Sequence, residues 1–182
     1  MTRKVAGTSV SAYVLTATAA LVFFSAVTFA QKETINGIRN FTKVDATVAC
    51  AGSTEPAAMA EIGRRGYKTV ISLREASEAG ALIDESAKAA EAAGMKFIHL
   101  PLNGSHPDEA VVDRYLAAVK DPANQPVFIY CASGSRAGTM WLIKRMLVDG
   151  WPEDKATAEA VMIGMSSPTL KQFALDYVAR HK

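Results

Sequence analysis

The chain has 182 residues, of which 49% are hydrophobic and 21% charged, enough for one well-buried domain with a short appendage. Its net charge of +2 comes from Arg3 and Lys4, and the rest of the chain carries 18 basic and 18 acidic side chains. Nucleic-acid binding needs a concentrated basic surface, so this balanced and scattered charge excludes an electrostatic nucleic-acid binder.

The N-terminus is an uncharged, apolar segment. Residues 5–30 contain no charged side chain, follow a short basic stretch and end with small residues at positions 28 and 30. This pattern predicts a cleaved secretory signal in residues 1–30. The alternative is a membrane anchor, in which residues 12–30 form an apolar helix long enough to span a bilayer. In both cases we expect residues 31–182 to be exported, as a periplasmic or secreted domain.

The rest of the chain alternates helix-like and strand-like segments. Short, continuously apolar strands that alternate with helices are typical of a parallel sheet covered on both faces. We therefore predict one α/β domain, with a central, mostly parallel sheet of about four or five strands flanked by helices. The predicted strands are residues 47–51, 68–73, 96–102 and 127–130, and the predicted helices are residues 55–65, 78–93, 107–120, 135–149, 153–163 and 168–180.

A cysteine, a run of small residues and an arginine follow the last predicted strand. Cys131 lies at the carboxyl end of that strand, the edge where open parallel sheets bind ligands. The small residues let backbone N–H groups point inward as an anion-binding nest, and the start of the next helix adds a positive field that favours the thiolate. Arg136 has the planar fork that holds two oxygens of a tetrahedral anion. The nest consists of Ala132, Ser133, Gly134 and Ser135.

These residues together describe covalent phosphoryl transfer. A nucleophilic cysteine, a cradle of amides and an arginine predict a phosphatase that works through a cysteinyl phosphate. Two alternatives stay open: a rhodanese-like sulfurtransferase that carries a persulfide on Cys131, and an inactive phosphate-binding or interaction module. No metal or organic cofactor is expected, because the arginine and the amides supply the stabilising charge and no Cys/His cluster has metal-ligand spacing.

The stretch PVFIYCASGSRAGTMW also resembles the active loop of cysteine-dependent tyrosine and dual-specificity phosphatases. The likeness is to the bacterial branch with an HCASGNR-like loop, related to phosphatase domains fused to NAD-kinase or beta-lactamase-hydrolase-like modules. It covers about residues 40–177 and includes NFTKVDATV, GYKTVISLREASE and FIHLPL. It implies that Cys131 is the nucleophile, that Arg136 binds the phosphate and that residues 132–135 supply the phosphate-binding amides. We expect a monomer acting on a phosphorylated protein or a small phosphate ester.

The chain departs from the usual family pattern around the loop. Four residues separate the cysteine from the arginine, where most of the superfamily has five. Tyr130 stands in place of the usual histidine before the cysteine. Ala137 stands in place of the usual hydroxyl residue after the arginine, a role for which Thr139 could substitute.

The general acid of the family is also replaced. Asn103 occupies the position of the usual aspartate, and an amide cannot act as an acid. Asp108 is the nearest carboxylate, so we predict it as the proton donor, although it also fits a helix-capping position. His106 is the alternative donor, since its ordinary pKa lies near neutrality.

Two further sets of residues carry predictions. Cys50 is expected at the carboxyl end of the first predicted strand, near Cys131. A structural disulfide between them and a reversible one that protects the nucleophile are both hypotheses, and two free thiols are the alternative. Arg74, Glu75 and Glu78 follow the second strand and are predicted to form a solvated ion-pair cluster of little energetic value; the alternative is that they border the cleft.

Overall fold

The computed structural model describes Met1 and residues 30–182 of the chain. Apart from Met1 and Ala30, the predicted signal or anchor lies outside the described residues, as does the apolar helix predicted for it. Within the described part of the chain, no helix is long and apolar enough to cross a membrane.

The protein forms a six-stranded sheet flanked by helices, which confirms the predicted α/β class. The strand order is β1-β2-β3-β6-β4-β5. The four strands from β3 to β5 in this order are parallel, while the two-residue strands β1 and β2 pair antiparallel at one edge. The strands are β1 (Gln31–Lys32), β2 (Thr42–Lys43), β3 (Val48–Ala51), β4 (Thr69–Ser72), β5 (Lys96–His99) and β6 (Val127–Tyr130).

The helices cover both faces of this sheet. They are α1 (Met59–Arg64), α2 (Ile83–Ala92), α3 (Glu109–Lys120), α4 (Ser135–Leu147), α5 (Glu153–Ile163) and α6 (Pro168–His181), with 3-10 turns at Pro56–Ala58 and Pro122–Asn124. Helix α6 begins as predicted, because the Ser167 hydroxyl accepts a hydrogen bond from the Leu170 amide at 3.3 Å.

Side-chain alternation along the strands builds one apolar core on each face. Cys50, Ile71 and Ile129 face the core formed with α3 to α6, while Val70 and Phe128 face the core formed with α1 and α2. Helix α4 is buried along most of its length because it packs between the sheet and helices α5 and α6. This packing fixes the start of α4, and with it the turn that follows β6.

The predicted helix over residues 78–93 begins only at Ile83. Gly80 and Leu82 have φ values of +69° and +44°, and such left-handed backbone interrupts a right-handed helix. The alanine-rich composition favoured a longer helix, but a glycine two residues after Glu78 already argued for a turn. The five residues before α2 therefore form a loop, which leaves the Glu78 side chain available to the site described next.

Candidate active site

The site lies at the carboxyl edge of the parallel strands. Residues 131–136, here called the cysteine loop, leave the end of β6 and enter α4. Because β6 pairs with β3 on one side and β4 on the other, the loops after those two strands lie on either side of the cysteine loop. The described residues contain no group of three or more His, Cys, Asp or Glu side chains placed to hold a metal ion.

Cys131 is almost completely enclosed by this loop. Cys131 is only 1% exposed, and the backbone N–H of Gly134 donates a hydrogen bond to its sulfur at 3.2 Å. The amide of Ser135 donates instead to the hydroxyl of Ser133 at 3.3 Å. One of the predicted nest amides thus stabilises negative charge on the sulfur directly, and another is held by a side chain of the same loop.

The far side of the loop rests on the segment that joins α5 to α6. Gly134 has a φ of +104°, and a Cβ there would lie 2.6 Å from the carbonyl oxygen of Ile163. The Ser135 hydroxyl accepts hydrogen bonds from the amides of Ser166 and Ser167, at 3.2 and 3.4 Å. Thr139 donates its hydroxyl to the Ser135 carbonyl at 2.9 Å, and its role as a substitute hydroxyl stays a prediction.

Arg136 is fixed by three partners from other loops. Its Nη1 donates to the carbonyl oxygens of Leu73 and Leu102, both at 3.0 Å, and both Nη atoms reach the Glu78 carboxylate, at 2.5 and 2.8 Å. Burial alone would lower the pKa of Arg136, but the hydrogen bond that it donates to Glu78 and the nearby Cys131 raise that pKa above its ordinary value. The guanidinium is therefore a permanent, oriented positive charge beside the sulfur.

Glu78 holds this arginine, a role that the sequence analysis missed. Its carboxylate also accepts hydrogen bonds from the Glu75 amide at 2.7 Å and from Arg74 at 3.3 Å. Burial would raise the pKa of Glu78, but the hydrogen bonds from Arg136 and the Glu75 amide outweigh it and lower the pKa to about 2. Arg74 is 5% exposed and also donates to Ala79 and Gly80, so the prediction of a solvated surface cluster was wrong.

The segment between β5 and α3 carries the predicted proton donors. Asn103 donates to the Glu75 carboxylate at 3.1 Å and accepts from the amides of Ser105 and His106, which shapes the turn. Asp108 is exposed and caps α3 by accepting from the Ala110 amide at 2.9 Å. No hydrogen bond of the described residues joins Asp108 or His106 to the cysteine loop. The capping role is thus present, and the catalytic role stays a prediction.

Cys50 and Cys131 are both free thiols. Cys50 pairs with Ile129, so Cys131 lies two residues further along the neighbouring strand, on the same face. The two sulfurs are not bonded to each other in the structure. Burial and the nearby Cys131 raise the pKa of the Cys50 thiol well above its ordinary value. The structure therefore gives no support to either disulfide.

A cavity of about 330 Å³ lies between the loops after β3 and β4, and none of its lining residues belongs to the cysteine loop. One wall comes from the loop after β3, where the Ser53 amide donates to the Ala132 carbonyl at 2.9 Å. The opposite wall comes from the loop after β4, which carries Glu78 and the exposed Leu82. The lining residues are Gly37, Ile38, Arg39, Ser53, Thr54, Glu55, Pro56, Gly80 and Leu82.

Residues 40–148 match the family model of the phosphatase-like domain of beta-lactamase hydrolase-like proteins. A DUF442 protein from Shewanella putrefaciens CN-32 has a similar fold, with a TM-score of 0.70, 20% identity and coverage of 80% of this chain and 95% of that one. A cysteine-to-serine variant of P. aeruginosa TpbA in complex with pTyr matches with a TM-score of 0.63, 21% identity and coverage of 85% and 90%.

The core catalytic domain of the PP-IP phosphatase SIW14 from S. cerevisiae, in complex with citrate, is also similar. Its TM-score is 0.66 at 18% identity, with 79% of this chain and 88% of that one covered. No curated protein sequence matches the chain. The solved structures establish a shared fold, and the family model identifies the cysteine loop as part of a phosphatase-like domain.

Proposed function

Because the chain belongs to the family of phosphatase-like domains of beta-lactamase hydrolase-like proteins, we propose that it is an exported, cysteine-dependent phosphatase. It would hydrolyse phosphomonoesters through a phosphocysteine intermediate. The observation that carries this proposal is the pairing of a sulfur held by the Gly134 amide with an arginine oriented by Glu78. Nucleophile, anion cradle and positive clamp meet at one sheet edge, as phosphoryl transfer requires.

The reaction runs in two displacement steps. The Cys131 thiolate attacks phosphorus, so the S–P bond forms while the P–O bond to the leaving group breaks, and the leaving oxygen takes up a proton. Water then attacks the phosphocysteine, the S–P bond breaks and its electron pair returns to sulfur. The products are the free alcohol or phenol and inorganic phosphate. Arg136 and the loop amides balance the charge on the phosphoryl oxygens in both steps.

Asp108 is the proton donor in this proposal. It is the only carboxylate in the segment of residues 100–108, which also supplies the Leu102 carbonyl that binds Arg136. One carboxylate oxygen caps α3, which leaves the other to carry the proton to the leaving group. In the second step the same oxygen takes the proton of the attacking water.

The substrate would extend its leaving group from the cysteine loop toward the cavity between the loops after β3 and β4. Its volume of about 330 Å³ is that of a site for a small molecule or a single side chain. The apolar Leu82 and Ile38 line it together with polar groups. An aryl phosphate such as phosphotyrosine is therefore the substrate class we favour, and the pTyr bound by the related TpbA variant supports this choice.

Export is part of the proposal and rests on the apolar N-terminal sequence. Cleavage after Ala30 would leave Gln31, the first residue of β1, as the mature N-terminus. Cell fractionation followed by N-terminal sequencing tests this. A mature protein that begins at Gln31 outside the cytoplasm supports a cleaved signal, a full-length protein in the membrane supports the anchor, and a full-length cytoplasmic protein overturns export.

The catalytic proposal is tested by assays of the purified protein with an aryl phosphate and, separately, with thiosulfate plus cyanide. We expect phosphate release by the wild type and by Cys50→Ala, and none by Cys131→Ser. Cys50 is fully buried outside the cysteine loop, so its variant is the matched control for loss of a thiol. Phosphatase activity that survives in Cys131→Ser would overturn the nucleophile assignment. Thiocyanate formation without phosphate release would favour the sulfurtransferase. Activity in neither assay would favour the inactive phosphate-binding or interaction module.

A further inference from the structure

We propose that Asn40 is a positioning residue that orients the peptide unit between Ser133 and Gly134 toward the Cys131 sulfur. Its side-chain amide donates to the carbonyl oxygen of Ser133 at 3.0 Å, across 93 residues of sequence. The inference deepens the proposed function, on which it rests, since it concerns the same sulfur and the same anion cradle.

The two ends of one peptide unit carry the argument. In a planar trans peptide the C=O and the following N–H point in opposite directions. Asn40 holds the Ser133 carbonyl on the outer side of the loop, and the N–H of Gly134 therefore points inward, where it lies 3.2 Å from the Cys131 sulfur. A peptide unit without its outer partner would be free to rotate and to turn its carbonyl dipole toward the anion site.

The preceding peptide unit is held in the same way. The Ser53 amide donates to the Ala132 carbonyl at 2.9 Å, which directs the N–H of Ser133 inward. Asn40 and Ser53 belong to one outer layer, because the amide of Arg39 donates to the Ser53 carbonyl and the amide of Gly52 to the Arg39 carbonyl, at 2.9 and 2.7 Å.

This outer layer packs directly on the loop backbone. A Cβ at Gly52 would lie 3.1 Å from the Ser133 carbonyl carbon and 3.2 Å from the Ala132 oxygen. The close approach leaves little room for either peptide unit of the cysteine loop to shift outward. The inward direction of its amides is therefore set by residues outside the loop.

Two independent requirements select asparagine at position 40. The residue has a φ of +53°, a left-handed conformation that asparagine and glycine adopt with little cost and most other residues avoid. The side chain must also donate a hydrogen bond over a short reach. Aspartate can take the backbone conformation but cannot donate, and glycine takes it without any side chain.

The test separates these requirements with two variants of the full-length protein and a control. Asn40→Gly keeps the backbone conformation and deletes the donor, while Asn40→Asp replaces the donor with a charge that repels the Ser133 carbonyl. Asn36→Asp is the matched control, since Asn36 is exposed in the same segment. The measurements are kcat and KM with an aryl phosphate, the rate of Cys131 alkylation by iodoacetamide against pH, and the melting temperature.

We expect kcat to fall about 10-fold in Asn40→Gly and further in Asn40→Asp, with a smaller change in KM, because removing an anion-hole donor outright costs about 10²–10³-fold. Half-maximal alkylation should move to higher pH in both variants, while Asn36→Asp behaves as the wild type. If kcat and the alkylation rate of Asn40→Gly equal those of the wild type, the proposal is overturned. It is also overturned if the losses of kcat and alkylation rate across the variants are explained by their lower melting temperatures alone. If the wild type is alkylated readily but releases no phosphate, the proposed function is overturned. The alkylation profiles of the variants would then still decide whether Asn40 orients the loop.

Discussion

Arg136 and Glu78 form a two-pronged ion pair across 58 residues of sequence, with both Nη atoms of the guanidinium on the two carboxylate oxygens. The pair is partly shielded, since the two side chains are 10% and 22% exposed. Contacts from both Nη atoms to one carboxylate fix the orientation of the guanidinium plane. In the proposed phosphatase, the role of Glu78 is therefore to orient Arg136 before the substrate binds.

Replacing Glu78 with glutamine should weaken this orientation. We expect Glu78→Gln to lower kcat/KM for an aryl phosphate by about 10–100-fold, because a small displacement of a substrate-positioning group has effects of this size. Glu85→Gln, an exposed position in the first turn of α2, is the matched control and should retain wild-type kinetics. Equal kinetics in the two variants would remove Glu78 from the site.

The same variant should change the pH dependence of stability. The pKa of Glu78 in the folded protein is about 2, below the ordinary 4.5. Its contribution to the free energy of unfolding is thus fully present above pH 4.5 and is lost as the pH falls toward 2. Urea unfolding at several pH values should show the wild type more stable than Glu78→Gln near neutrality, with the difference shrinking over this window. A difference that does not vary with pH would contradict the assignment.

Lysine at position 136 should preserve charge but lose function. Lys has a single ammonium group, which cannot bind the Glu78 carboxylate in two-pronged fashion and at the same time reach two oxygens of a phosphoryl group. We expect kcat in Arg136→Lys to fall by about 10²-fold or more, measured as phosphate release. Arg114→Lys, on the exposed face of α3, is the control for the exchange itself. Near wild-type turnover in Arg136→Lys would show that the fork geometry is dispensable.

Asp108→Asn distinguishes proton donation from helix capping. Asparagine caps as well as aspartate does, so the melting temperature should stay unchanged while kcat falls by about 10²–10⁴-fold, the usual contribution of a positioned general acid. The loss should be larger for an alkyl phosphate than for an aryl phosphate, because the poorer leaving group needs the proton more. Asp121→Asn is the matched control, since Asp121 caps a 3-10 turn through the Ala123 amide at 2.9 Å. Unchanged kcat in Asp108→Asn would restrict Asp108 to its capping role.

Gly134→Ala should damage both stability and the site. The left-handed φ of +104° costs about 1–2 kcal/mol for a residue with a side chain. The clash with the Ile163 carbonyl adds about 1–3 kcal/mol, since backbone atoms on both sides must shift. Gly150→Ala isolates the first effect, because its φ is +66° and its Cβ would meet nothing within 4 Å. Denaturant unfolding of both variants, with kcat of the folded protein, measures the difference; equal destabilisation would exclude the clash.

The sequence determined much of the fold and the local arrangement of the cysteine loop. Strand β6 and helix α5 have the predicted boundaries, and the other parallel strands and helices differ mainly at their ends, except α2. Apolar runs and helical periodicity encode these elements locally, so they can be predicted without tertiary information. The proximity of Cys131 and Arg136 was equally local, since a short turn between a strand and a helix joins them.

Only the tertiary structure decided which distant residues contact the cysteine loop. Glu78 and Asn40 reach the cysteine loop across 58 and 93 residues, and no sequence pattern around either residue predicts that contact. Their roles follow from the strand order, which places the loops after β3 and β4 on the two sides of β6. Hydrogen bonds between such distant segments depend on which strands are neighbours, and no local pattern of residue types records that.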